Sequence, residues 1–310
     1  MLKTFFYCLI FSLFFSVSAQ NGSTSIYSDY FDPQELLRNI QNLSSDAFQG
    51  RRTGTKGGLK AKNYIVDVFS KIQIKPLKKD NYEQIFFFRH NGKDYKGTNI
   101  LGLIEGTSFK SKYIVISAHY DHEGIKQGQI YNGADDNASG TSALLIMAQY
   151  FKDHPLKHSI ILAAFDGEEL DIQGSTYFVD HPIVNENNIV LNVNMDMISR
   201  SMNNELFVVG TMQNEQLRQS IVGYHFNNEI KLTPGHDGYD GEENWIYSSD
   251  QEPFYAKGIP FLYFGVADHE DYHQPTDDFV NIQPEFYTQA VNTIIKVIRK
   301  VDNISFKSRL

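Results

Sequence analysis

The stretch Ser159-Ile160-Ile161-Leu162-Ala163-Ala164-Phe165-Asp166-Gly167-Glu168-Glu169 decides the fold. Its first seven residues are of strand length and apolar on both faces, where a strand with one wet face would alternate. Such a run belongs in a sheet covered by helices on each side. Two adjacent carboxylates follow, and like charges beside a buried strand are costly unless a cation compensates them. A solvated acidic loop is the plain alternative for Glu168-Glu169 alone.

Similar apolar runs recur at residues 85–88, 100–104, 113–117, 189–194, 206–209 and 259–264, and all are expected to be strands. Helical patterns lie between and around them. Asp32-Pro33-Gln34-Glu35 combines an N-cap, a proline at the first helical position and a capping-box glutamate. Leu36, Leu37, Ile40 and Leu43 then follow at helical spacing. Further helices are expected over residues 59–69, 142–151 and 286–301. No repeat, low-complexity tract or linker divides the chain, so a single α/β sandwich domain is expected.

The amino-terminal segment reads as an export signal. Lys3 precedes an apolar run over residues 5–15, and Ser16-Val17-Ser18-Ala19 offers a small-residue cleavage site. The run is short of the roughly 20 apolar residues that span a bilayer. Residues 1–19 are therefore expected to be a signal peptide and residues 20–310 one catalytic domain. The location implied is periplasmic or extracellular, without stable membrane association after cleavage. Cys8 is the only cysteine, so a disulfide framework and thiol chemistry are excluded from the mature chain. Net charge is −9, and no basic stretch is long enough for a nucleic-acid surface.

Five polar clusters follow the apolar runs, where open α/β sheets place their ligands. They are residues 117–122 with His119 and Asp121, residues 133–140 with Asp135-Asp136, and Asp166 to Glu169. The last two are Asn194-Met195-Asp196-Met197 and Tyr272-His273-Gln274-Pro275-Thr276-Asp277. His119 and Asp121 are spaced to point to one face of an extended segment, as a histidine ligand and its orienting carboxylate would. For that pair alone, a surface histidine beside a solvated acid is the favoured reading. Asp135-Asp136 could serve only as a helix cap. Asp196 closes an apolar strand, where a buried carboxylate needs a partner. Together the clusters supply imidazole and carboxylate without thiol, a donor set suited to zinc and shared by manganese, cobalt and iron.

In order and spacing these motifs, with Gly50-Arg51-Arg52-Thr53-Gly54-Thr55 upstream, resemble the bacterial leucyl-aminopeptidase-like metallopeptidases, peptidase family twenty-eight. The resemblance implies a three-layer α/β/α sandwich with a mixed, largely parallel central sheet. It implies two zinc ions: His119 and Asp196 on one, Glu169 and His273 on the other, Asp136 bridging. Glu168 would be the general base, Asp121 would orient His119, and the Asp136–Asn137 peptide bond would be cis. The substrate class implied is peptides with a free N-terminus. Gln251 stands where many relatives carry histidine, and Tyr247 is a conceivable donor to the oxyanion.

Two rival readings stay open. Glutaminyl cyclases share the fold and the Phe165-Asp166-Gly167-Glu168-Glu169 motif, with one zinc. The run Asp135-Asp136-Asn137-Ala138-Ser139-Gly140 and the short segment 170–174 resemble the peptidases instead. A non-catalytic binding protein on the same fold is the other rival, although a pure scaffold has no need for so many convergent carboxylates.

Overall fold

A computed structural model describes residues 26–223, 229–239 and 241–306; the expected signal peptide, with Cys8, lies outside them. In chain order the strands are β1 (Lys75–Pro76), β2 (Glu83–His90), β3 (Lys93–Ile104), β4 (Phe109–His119), β5 (Gly124–Lys126) and β6 (Gln129–Tyr131). They continue with β7 (His158–Phe165), β8 (Ile189–Met195), β9 (Glu205–Val209), β10 (Lys231–Pro234) and β11 (Phe261–Gly265). The helices are α1 (Pro33–Leu43), α2 (Lys56–Lys71), α3 (Gly140–Asp153), α4 (Gln173–Asp180), α5 (Glu215–Ile221), α6 (Glu252–Ala256) and α7 (Pro284–Val301).

Nine strands form one sheet in the order β1-β3-β7-β4-β8-β11-β9-β10, with β2 also on β3. The middle block β7-β4-β8-β11 is parallel throughout. Its flanks turn antiparallel at β3–β7 and β11–β9. The largely parallel sheet expected from the resemblance is thus a parallel centre inside a mixed sheet. Alternate residues of β4 face opposite layers, as a period of two requires. Ile114 and Ile116 join the layer of α1, α2, α3 and α7. Val115 joins Phe178 of α4 and Phe254 of α6 on the other side. Three layers result.

Local chemistry explains the helix starts. Asp32 accepts from the Gln34 amide at 2.9 Å ahead of Pro33, and the Thr55 hydroxyl accepts from Gly58. The seven strands anticipated from the sequence all form. The β2–β3 hairpin runs beyond its apolar runs, paired in register from Glu83↔Ile100 to His90↔Lys93. Helices α4, α5 and α6 had no sequence signal, because five to eight residues are too few to display a helical period.

Candidate metal centre

Four of the five clusters leave the sheet at the same edge, and the fifth opens α3 against them. His119 is the last residue of β4, and Asp166 follows β7. Asp196 follows β8, its amide donating to the Phe264 carbonyl of β11 at 3.0 Å. His273 lies in the turn after β11. Asp136 belongs to a wide helical turn, Ala134–Ser139, that opens α3. The Asp136–Asn137 peptide bond is cis. Parallel neighbours share a direction, so their carboxyl ends converge on one crevice.

The side chains meet there. His119 Nε2 lies 3.2 Å from Asp196 Oδ1 and 3.5 Å from Asp136 Oδ1. His273 Nε2 lies 3.1 Å from Asp136 Oδ2 and 3.5 Å from Glu169 Oε2. Asp136 therefore turns one oxygen to each histidine. Glu168 Oε2 stands 3.9 Å from His119 Nε2, just outside the tighter group. His119, Asp136 and Asp196 are buried and their donor atoms lie within 4.8 Å of one another, as do those of His122, Asp136 and Glu169.

This arrangement fits a cation. No lysine or arginine among the described residues pairs with Asp136, Glu168, Glu169 or Asp196. The buried atoms His119 Nε2 and Asp196 Oδ1 have no hydrogen-bond partner, their 3.2 Å approach being misaligned for one. Burial pushes the Glu168 carboxyl well above its ordinary range, offset in part by His119. Burial also raises Asp136, and the charge of Glu169 adds to it. For His119 burial opposes charge, yet Asp196 and Glu168 outweigh it and raise the imidazole well above its usual value. A cation among the donors would relieve all three conflicts.

The surroundings hold these groups in place, and they differ from expectation at Asp121. Its carboxylate is 3.9 Å from His119 Nδ1, and its backbone carbonyl, at 3.2 Å, makes the closer contact. A carbonyl only accepts, so Nδ1 carries the proton and Nε2 is left to face the site. The Asp121 carboxylate instead accepts from the Glu168 amide at 3.1 Å and from Thr53 Oγ1 at 3.0 Å. Thr53 also lies 2.7 Å from Asp166 Oδ1. A hydroxyl has one proton, so two carboxylates share it; burial raises Asp166 to about 6.

Four supporting residues carried no role in the sequence reading. Arg51 is fully buried and donates to the carbonyls of Leu43, Tyr120, Asn132 and Gly133 at 2.6–2.9 Å. It ties the loops bearing His119 and Asp136 together and adds a fixed positive charge, with a pKa lowered by burial to about 10. Asp277 accepts from the amides of Asp135 and Asp136 at 2.9 and 3.0 Å. His122 Nδ1 meets Glu169 Oε1 at 2.6 Å, and burial lowers its pKa to about 3, so it donates while neutral. His122 lies in the same post-strand loop as His119, the one signal that could have singled it out. Thr53 is the fourth. Asp135 faces away, bound to Ser199 and His269.

Gln251 is wholly buried; it accepts from Asn194 of β8 at 3.0 Å and donates to the Trp245 carbonyl at 2.8 Å. Its work is to anchor the strand that delivers Asp196. Tyr247 is about half exposed and packs edge-on against Tyr255. It does not line the cavity, whereas Tyr263 and Tyr272 do. That cavity, of about 390 Å³, opens over Asp136, Glu168, Glu169, Asp196 and His273.

Known proteins resemble this chain in sequence and in fold. The profile described as peptidase family M28 matches residues 99–298. Aminopeptidase YwaD of Bacillus subtilis is 31% identical over 210 residues, 64% of this chain and 44% of that protein. The chain thus spans less than half the length of that relative. Among solved structures, a zinc aminopeptidase from Bacillus subtilis superposes with a TM-score of 0.67 at 20% identity, covering 86% of this chain and 95% of that one. Porphyromonas gingivalis glutaminyl cyclase superposes with 0.68 at 18% identity, covering 87% and 99%. At such identities the likeness is one of fold.

Proposed function

The chain belongs to peptidase family M28, and on that premise we propose that it is an exported zinc-dependent aminopeptidase with a co-catalytic pair of metal sites. One observation carries the proposal: Asp136 offers one oxygen toward His119 and Asp196, and the other toward His273 and Glu169. A single carboxylate spanning two histidine–carboxylate sets is the donor arrangement that two zinc ions require. His119 and Asp196 would hold one ion, His273 and Glu169 the other. Residues 20–310 would be the catalytic domain behind a cleaved signal peptide.

Zinc, when bound, would polarise the scissile carbonyl and make water acidic enough to attack near neutral pH. The remaining work falls to side chains. Glu168 is held in place through its amide by Asp121; burial raises the proton affinity of its carboxylate, and cations beside it would keep it ionised until it acts. It would take the proton of the attacking water and deliver it to the leaving amine, a role worth about 10²–10⁴ in rate. His122 keeps Glu169 oriented. The excess of carboxylates around Asp136 and Glu169 suits a substrate that enters with a free ammonium group.

Glutaminyl cyclase is the second reading, favoured by the likeness to the Porphyromonas structure. The deciding experiment offers zinc-loaded protein a leucine-initiated peptide, its N-acetylated twin and a peptide starting with glutamine. Hydrolysis of the free leucine peptide alone, abolished by chelator and by Glu168→Gln, supports the aminopeptidase. Ring closure of the glutamine peptide without hydrolysis would overturn it in favour of the cyclase.

A further inference from the structure

The cavity over the metal centre has a second part that the reaction does not use. Beside the site its wall is apolar and aromatic, made by Trp245, Tyr263, Val266 and Met197. It carries three carboxylates outside the metal set: Asp171 is paired with His90, and the two others are Glu243 and Asp268, both exposed. They arrive from separate segments, one ahead of the Trp245–Tyr247 turn and one in the loop after β11. Neither forms an ion pair with a lysine or arginine among the described residues, and His273, already engaged at the metal centre, is the one basic residue among those lining the cavity. The nearby Arg200 is committed to Asp271 and Glu270. Among the described residues, the one side-chain hydrogen bond that either carboxylate receives is a long one, from Trp245 Nε1 to Glu243 at 3.3 Å.

Asp268 feels the charge of Glu243 and, more weakly, that of Asp136, which places it within electrostatic reach of the reacting end. Metal ions at the centre would balance Asp136, Glu169 and Asp196 and leave Asp268 and Glu243 uncompensated. The inner end of the same cavity is a built site, since Asp196 Oδ1 is buried there without a hydrogen-bond partner.

Resting on the aminopeptidase reading, we infer that the cavity selects peptides whose first residue has a long basic side chain. The methylene stem lies along Trp245 and Val266, and the cationic tip reaches Asp268 and Glu243. Lysine and arginine are built that way, an apolar stem ending in a charge. An acidic first residue is disfavoured by the same two groups. Because the rim is wet, the preference is electrostatic and weakens with salt, the screening length being about 10 Å at 0.1 M.

The test compares kcat/KM for peptides identical except for a first residue of lysine, methionine or glutamate. Methionine matches the length of lysine's stem without its charge. The expected order is lysine, methionine, glutamate, with lysine about tenfold ahead of methionine at low salt and the gap closing by 1 M salt. In Asp268→Asn with Glu243→Gln the lysine-to-methionine ratio falls to near one, while Glu105→Gln, the loss of a single carboxylate at a distant ion pair with Lys75, leaves the ratio as it was. A wild-type ratio near one with brisk methionine release overturns this inference and leaves the aminopeptidase standing. So does a double variant that slows lysine and methionine peptides equally, since the rim acids would then serve the α-ammonium. Hydrolysis of none of the three overturns both readings.

Discussion

The two ends of strand β7 hold buried histidine and carboxylate groups on opposite terms. At its start His158 Nδ1 meets Asp302 Oδ1 at 2.9 Å. The same carboxylate accepts from the Lys157 and His158 amides at 2.8 and 3.0 Å. Every acceptor is used, and although burial opposes it the Asp302 pKa is held below its ordinary value by these bonds. At its far end β7 delivers Glu168 and Glu169 into a crevice where carboxylates outnumber cations and buried atoms lack partners. Both ends mix imidazole with carboxylate. Only the second has charge left over, and leftover buried charge marks a place for something the chain does not supply.

The contrast breaks most visibly at Glu168. Glu168→Gln should lower kcat by about 10²–10⁴ while zinc content and thermal stability hold. A matching loss of zinc would make Glu168 a ligand instead of a base. Next in size is Arg51→Met, which strands four carbonyls and removes a buried guanidinium from between the loops. Chemical denaturation should register a loss of about 3–5 kcal/mol; a loss under 1 kcal/mol would show that the loops hold without it.

Zinc itself should stabilise the far end and not the near one. At a free concentration a hundred times its dissociation constant, binding adds about 2.7 kcal/mol, read as a raised Tm. Asp136→Asn should forfeit most of that gain while making the chelated protein slightly more stable than chelated wild type, because one conflicting carboxylate is gone. Smallest is Asp302→Asn at the near end, a loss of about 2 kcal/mol above pH 5 from bonds to a charged acceptor. The sign follows from the depressed pKa. The stability from this carboxylate is complete above the unfolded aspartate value of about 3.9 and is lost as pH falls through the lower folded value. Wild type and variant should therefore converge below about pH 3, in Tm measured across pH, and a gap that persists there would assign the loss to packing.

Most of the far end was readable because four of its five clusters follow an apolar run, and runs are a local signal. His119, Asp136, Glu168, Glu169, Asp196 and His273 were put together as one set by the family resemblance, and the structure gathers all six. Arg51 and Asp277 were not, since they act on backbone groups 82 and 142 residues away in sequence. Nothing near Arg51 announces that its partners are carbonyls. Asp121 shows the limit of spacing: residue 121 was rightly placed beside His119, but the chain leaves the strand at His119 and its carboxylate swings to Glu168. Tyr247, read as a conceivable donor to the oxyanion, packs against Tyr255 in an exposed turn, and exposure of that kind is not visible in the residue type.

Zinc titrated into chelated protein, followed by calorimetry together with release of lysine or leucine from short peptides, tests the central claim most directly. Two zinc ions per chain in wild type, with activity appearing as they bind and fewer than two bound by Asp136→Asn, is the predicted result. A single equivalent in wild type, unaffected by Asp136→Asn, would contradict the paired centre and with it the role assigned to the acids at the far end of β7.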